Sequence, residues 1–303
     1  MSRWIQISLT LDGEGAEAVA DTLRRYVHQG VSIEQLLPGE AWSDEPLPPG
    51  PLVVRGYIPA DESAPAIQRQ IEEALYYLKK LYPLIPAPEF QVVEEEEWAE
   101  AWKKHYHPIR VGERILIKPA WVEAEARPGD IVIEMDPGMA FGTGTHPTTQ
   151  LCLQAVEQFA GPEATLLDLG TGSGVLAIAA ARLGTPHVFA CDVDPLAVRV
   201  AQENVMRNGV QNRVSVAQGS LAELLAERRC FDWAIANLTA RIITDLAGQG
   251  LERVVQPGGR FVFSGLIDTQ LGEVSDALKT AGLSVVGQRY MNDWVLLITE
   301  RLA

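Results

Sequence analysis

Trp4-Ile5-Gln6-Ile7-Ser8-Leu9-Thr10-Leu11 alternates apolar and polar side chains, the period-two pattern of a strand with one buried face. From Gly15 to His28 the apolar positions recur at helical spacing, and Val31 to Leu37 reads as a second strand. A proline- and glycine-rich break, Pro38 to Pro51, precedes a third strand at Leu52 to Ile58. Asp61 to Tyr82 has helix periodicity and Glu89 to Glu94 supplies a fourth strand. The order β-α-β-β-α-β predicts a small ferredoxin-like α+β domain, a fold that hosts many unrelated roles and identifies none.

Glu94 to His105 carries acids early and bases late, as the helix macrodipole favours, and Trp98 and Trp102 would share one face of that helix. Beyond it, Arg114 to Trp121 and Ile131 to Met135 read as strands. From Thr165 the chain alternates strand and helix, with strands near 165–169, 187–191, 213–217, 232–236 and 259–264. Ser284 to Arg289 and Asp293 to Thr299 form a closing antiparallel hairpin around Tyr290-Met291-Asn292. Such alternation predicts an α/β, doubly wound, Rossmann-like parallel sheet, and the hairpin predicts one reversed strand. The expected organisation is a ferredoxin-like domain over 1–95, a linker helix over 96–110 and the larger domain over 111–303.

Composition narrows the setting. The chain has 303 residues and a formal net charge of -15. Residues 1 to 105 hold 18 Asp or Glu against 9 Lys or Arg, so this third carries -9 of the excess. That balance argues against phosphate-backbone binding and suits a basic partner, with solubility as the plainer alternative. No apolar run reaches the ~20 residues of a membrane-spanning helix, and Met1-Ser2-Arg3-Trp4 does not open a signal peptide, so a cytoplasmic location is expected. Cys152, Cys191 and Cys230 are odd in number and widely spaced, and are read as reduced core residues rather than disulfide or zinc ligands.

The candidate chemistry begins at Asp168-Leu169-Gly170-Thr171-Gly172-Ser173-Gly174, which joins a strand, a glycine turn and an alanine-rich helix start. Its third glycine lies two residues after the second, whereas a dinucleotide fingerprint requires three, which disfavours NAD. Acidic-x-G-x-G-x-G, with Asp192 ending the next strand, instead resembles the first motif of class I S-adenosylmethionine-dependent methyltransferases. Asp192 is placed to accept ribose hydroxyls, with a plain helix N-cap as the alternative. Asp168 is expected to hold the turn through backbone hydrogen bonds, Gly170 to let a cofactor lie on it, and Gly172 and Gly174 to permit close approach. The expected strand ends, at Gly170, Asp192, Gly219-Ser220 and Asn237, converge on one crevice.

Upstream, Met135 to Thr149 is a second glycine-rich segment running into a helix with Pro147 near its start. Thr145, Thr148 and Thr149 place hydroxyls in or near that first turn, as caps or as ligand contacts, and His146 is read as structural rather than as a base. Asn237 and the Leu238 carbonyl can accept hydrogen bonds from a substrate amine and aim its lone pair.

Asp136 to Thr149, Leu167 to Ile178 and Ala236-Asn237-Leu238 together closely resemble the PrmA family, the bacterial methyltransferases of large-subunit ribosomal protein L11. The resemblance covers essentially the whole chain and is specific from about residue 98. It implies methyl transfer from S-adenosyl-L-methionine to the α-amino group and lysine ε-amino groups of that ribosomal protein, free or on the large subunit, with no nucleic-acid or membrane partner required. It also implies that Thr149, Gly170, Gly172, Asp192 and Asn237 contact the cofactor and that Phe141 borders the methyl or substrate pocket. The acidic first domain would recognise the basic substrate. Asn237-Leu238-Thr239-Ala240 lacks the paired prolines and aromatic of other amino-methyltransferases. Alternatives are another protein, a small molecule or RNA as acceptor, a non-catalytic binding module, and an oxidoreductase.

Overall fold

The computed structural model describes residues 3–11, 13–27, 31–35, 52–94, 107–135 and 144–302. The chain divides into two compact units, Met1–Tyr106 and His107–Ala303. The expected loop at 38–51, most of the linker helix with Trp98 and Trp102, and Phe141 lie outside the described residues.

In the first unit, β1 (Arg3–Leu11) buries Ile5, Ile7, Leu9 and Leu11 on one face, as its alternation requires. It lies between β3 (Leu52–Pro59) and β4 (Glu89–Glu94), antiparallel to both, and β2 (Val31–Gln35) adds to the free edge of β3. The sheet order β2-β3-β1-β4 is ferredoxin-like. Helix α1 (Gly13–Leu23) turns Ala16, Val19, Ala20 and Leu23 inward at i, i+3, i+4, i+7 spacing, and α2 (Ala64–Leu78) buries Ala64, Ile71 and Leu75. Both helices stop short of their expected ends. Arg24 to Tyr26 form turns, and Leu81, which prolongs the apolar period after α2, is 77% exposed.

The second unit is built on a seven-stranded sheet. Its strands are β8 (Thr165–Leu169), β9 (His187–Asp192), β10 (Val214–Gln218), β11 (Phe231–Asn237), β12 (Val255–Ile267), β13 (Leu283–Met291) and β14 (Trp294–Arg301), ordered β10-β9-β8-β11-β12-β14-β13. The first five run parallel, while β14 is antiparallel to both its neighbours and is the single reversed strand. This is the doubly wound sheet expected from the alternation of strand and helix, with the reversed strand expected from the closing hairpin. Helices α3 (Pro147–Phe159), α4 (Val175–Arg182) and α5 (Pro195–Arg207) share a core with Leu166, Trp233 and Ile235. On the other face, α6 (Leu221–Ala226), α7 (Ala240–Ala247) and α8 (Leu271–Thr280) cover Leu167, Ala234 and Ala236. Burial on both faces explains why these strands read as continuous apolar runs.

A separate three-stranded sheet, absent from the sequence reading as a unit, joins β5 (Ile109–Val111), β6 (Ile115–Pro119) and β7 (Ile131–Met135). Side chains of the helices hold its backbone. The Glu157 carboxylate accepts the Glu113 and Arg114 amides at 2.9 and 2.7 Å, and Arg182 donates to the Val132 carbonyl at 3.1 Å. Cys152 and Cys191 are buried as expected, but Cys230 is exposed, because the chain there forms the turn between α6 and β11 rather than core.

Candidate active site

The strand order reverses between β8 and β11, so the carboxyl ends of β8, β9 and β11 border the crevice where open α/β sheets bind ligands. Gly170, Gly172 and Gly174 have φ of 76°, 54° and 84°, all in the left-handed region. Any residue with a Cβ would strain each position by about 1–2 kcal/mol, which is why the turn is written with glycine. The Gly170 and Thr171 amides both donate to the Cys191 carbonyl, at 2.9 and 3.0 Å, folding the turn against the end of β9. A Cβ on Gly174 would lie 3.2 Å from that of Ala201, so α4 and α5 approach closely there.

Asp192 is braced by the backbone on both sides. Its Oδ2 accepts the Gly172 amide and its Oδ1 the Asp194 amide, each at 3.0 Å. A carboxylate offers about four acceptor sites, so two such bonds fix its plane and leave it able to take further donors. The N-cap of α5 is Asp194, whose side chain accepts the Leu196 amide at 2.8 Å. The helix-cap alternative for Asp192 therefore falls to its neighbour. At the end of β10, the Gly219 amide donates to the Asp192 carbonyl at 3.0 Å, and Ser220 opens α6 through a capping box with Glu223.

Asp168 lies fully buried beneath the turn and accepts the Thr171 hydroxyl at 2.6 Å. It thus holds the turn chiefly through a side chain, where backbone bonds were expected. Burial pushes its carboxyl up to about 7, against the pull of the Thr171 bond and the Ala177 amide, with the Asp192 charge adding to the rise. The same burial, beside these carboxylates, pushes the Cys191 thiol up to about 12.

The second glycine-rich segment re-enters the described structure at Gly144, with φ 95°, where a Cβ would lie 2.6 Å from Ile117 Cδ1 of β6. The cap of α3 is His146, not one of the threonines. Its Nδ1 accepts the Thr148 amide at 3.3 Å and lies 2.7 Å from the Thr148 hydroxyl. The ring packs edge-on to Trp294 with centroids 4.8 Å apart, and burial drives its pKa down to about 4. A histidine so placed stays neutral at physiological pH. Pro147 occupies the first helical turn, where its missing N–H leaves nothing unsatisfied.

Capping by His146 places Thr149 in the first turn facing β11. The Asn237 side-chain amide donates to the Thr149 hydroxyl at 3.4 Å, joining two residues that the sequence reading named separately. With its NH2 turned to Thr149, Asn237 presents Oδ1 on the other side. Leu238 follows, its amide donating to the Ser264 carbonyl of β12 at 3.0 Å and its side chain lying over Gly170, where a Cβ would come within 2.6 Å of Leu238 Cδ2. Gly170, Gly172, Asp192, Asn237 and Thr149 are therefore linked through one set of backbone and side-chain contacts. Sequence reasoning missed the carbonyls of Cys191 and Ser264, main-chain acceptors that leave no side-chain signature.

The chain matches the model of the family described as ribosomal protein L11 methyltransferase (PrmA) over residues 3–301. A protein named ribosomal protein L11 methyltransferase from Chloroflexus aurantiacus is 41% identical over 98% of both chains. One of the same name from Pelotomaculum thermopropionicum is 42% identical over 97% of both. The crystal structure of a ribosomal protein L11 methylase from Lactobacillus delbrueckii subsp. bulgaricus superposes with a TM-score of 0.59 at 32% identity, covering 65% of this chain and all of that one. With its glycine turn, braced strand-end carboxylate and one reversed strand, this chain belongs to the ribosomal protein L11 methyltransferase (PrmA) family.

Proposed function

We propose that this protein transfers methyl groups from S-adenosyl-L-methionine to the α-amino group and lysine ε-amino groups of large-subunit ribosomal protein L11. The observation that supports the reading is the pairing of Asn237 with Thr149 at 3.4 Å, which turns the Asn237 NH2 to the threonine and leaves Oδ1 for an incoming donor. The residues fit the cofactor. The left-handed glycines keep the turn free of Cβ atoms, and Asp192 is held in a fixed plane with capacity for two hydroxyl donors. When bound, S-adenosyl-L-methionine supplies an electrophilic methyl group on a sulfonium.

Asn237 Oδ1 and the Leu238 carbonyl accept the substrate amine N–H groups and point the nitrogen lone pair into the crevice, a contribution of orientation rather than of acid–base chemistry. The amine must be neutral to act. Deprotonation at pH 7 costs roughly 4–5 kcal/mol for lysine and about 1 for an α-amino group, and partial desolvation lowers both. In this reading water takes the proton, and the neutral, buried His146, which faces the α3 cap and Trp294, has a structural role. The acidic first unit recognises the basic substrate through charge. The described residues contain no helix long and apolar enough to cross a membrane, and we place the reaction in the cytoplasm.

Incubation with labelled S-adenosyl-L-methionine and ribosomal proteins lacking these methyl groups, followed by mass spectrometry, tests the reading. Label on the amino terminus and lysines of L11 is expected. Label confined to RNA or to other proteins would overturn it.

A further inference from the structure

We infer that Gly265 is a positioning residue for the amine-binding carbonyl of Leu238, an inference that rests on the amine-orienting role proposed above for Asn237 and Leu238. Gly265 lies within β12, where a glycine weakens a strand unless a backbone or ligand must approach closely. Its φ is 90°, and a Cβ there would lie 2.3 Å from the Leu238 carbonyl oxygen, 2.7 Å from the carbonyl carbon and 3.0 Å from the nitrogen. The obstacle is backbone on a neighbouring strand end, not the flexible tip of a side chain.

Several independent contacts converge on the same peptide. Asn237 is in register with Ser264, and the Leu238 amide donates to the Ser264 carbonyl at 3.0 Å. The β12–β14 register breaks between Phe263 and Leu266, so Ser264-Gly265 form a bulge, and bulges re-aim the chain beside functional sites. The buried Ser264 hydroxyl pins that bulge by donating to the Val295 carbonyl at 3.0 Å. On the opposite side, Leu238 lies over Gly170. Leu238 thus lies between two left-handed glycines, its peptide against Gly265 of β12 and its side chain against Gly170, which follows β8. Among the described residues no donor meets its carbonyl. The bulge holds the amide and leaves the oxygen as an acceptor.

The test uses the full-length protein, unmethylated ribosomal protein L11 and labelled S-adenosyl-L-methionine, with S-adenosylhomocysteine titrated calorimetrically to count cofactor sites. Gly265→Ala is expected to lower kcat per cofactor-binding site at least tenfold while the S-adenosylhomocysteine Kd changes less than twofold. A merely structural glycine would lower Tm and the folded fraction but leave kcat per binding site intact, and that result would overturn the inference. Parallel loss of kcat and S-adenosylhomocysteine affinity would also overturn it. Should Gly265→Ala not fold, Ser264→Ala decides, since it removes only the hydroxyl that pins the bulge. A roughly threefold lower kcat with unchanged S-adenosylhomocysteine affinity supports the inference, and an unchanged kcat refutes it. Absence of transfer to L11 by the unmodified protein would instead defeat the underlying reading. Normal transfer by both that protein and Gly265→Ala defeats this inference alone.

Discussion

Asn237 and Thr149, 88 positions apart in the chain, meet at 3.4 Å with the amide of the first donating to the hydroxyl of the second. The bond turns the Asn237 NH2 to Thr149 and leaves Oδ1 as the acceptor that the proposed amine-orienting role requires. Without it the amide can rotate and present NH2 to an incoming amine, donor against donor. Thr149→Val keeps the shape of the side chain and removes the acceptor. A long neutral hydrogen bond of this kind contributes about 0.5–1 kcal/mol, so kcat should fall about threefold at saturating cofactor. A large loss of S-adenosylhomocysteine affinity at constant kcat would make Thr149 a cofactor contact only.

His146 caps α3 and packs on Trp294. His146→Ala removes the acceptor for the Thr148 amide and opens space beside the indole, which should destabilise the second unit by about 2–3 kcal/mol. Activity per folded molecule should persist, and the pH profile of kcat should keep its shape. Loss of a titration from that profile would show His146 to be a base.

Asp168 links stability to pH. Its folded pKa, about 7, stands above the unfolded 3.8, so between these values the folded chain holds a proton that the unfolded chain has lost. The associated stability is fully present below pH 4 and disappears as pH rises through 7. His146 works in the opposite sense, because its folded pKa, about 4, lies below the unfolded 6.5, and stability rises with pH across that window. Comparison with Asp168→Asn cancels the histidine contribution, which both proteins share. The unmodified protein should lose stability relative to Asp168→Asn between pH 5 and 8, by an amount on the order of a few kcal/mol. Parallel denaturation curves across that range would show that Asp168 is ionised throughout.

The sequence made much of the fold legible because period and punctuation agree. Glu89 to Glu94, Ile131 to Met135 and Thr165 to Leu169 are strands with the bounds read from their pattern. The apolar spacing overshoots the end of α2, because Leu81 continues it without entering the core. β5 has three residues, too few to show alternation. Among the proposed site residues, Gly170 has the left-handed φ that its type permits, and Asp192 and Asn237 stand at the strand ends where their pattern puts them. The His146 cap and the contact between Asn237 and Thr149 depend on where α3 starts relative to β11, a distance no local pattern encodes.

Asn208 offers a separate test of how the small sheet is held. It ends α5, is nearly buried, and uses both ends of its amide on one residue of β7: Oδ1 accepts the Glu134 N–H at 2.8 Å, while Nδ2 donates to the Glu134 carbonyl at 2.7 Å. Nδ2 also donates to the Asn204 carbonyl at 2.9 Å. The side chain therefore pairs with the free edge of β7 as a neighbouring strand would. Asn208→Asp is nearly isosteric but sets a carboxylate oxygen against two carbonyl oxygens, which should destabilise by about 2–4 kcal/mol, or roughly 5–10 °C in Tm. Asn208→Ala should cost less, because it removes the bonds without creating repulsion. The repulsion also raises the introduced carboxyl's pKa, and the protonated acid can donate where the amide did. The Tm deficit of Asn208→Asp should therefore narrow between pH 7.5 and pH 4.5, whereas that of Asn208→Ala stays constant. A Tm for both variants equal to that of the unmodified protein would mean that no donor is needed at this position, and that β7 is held by packing alone.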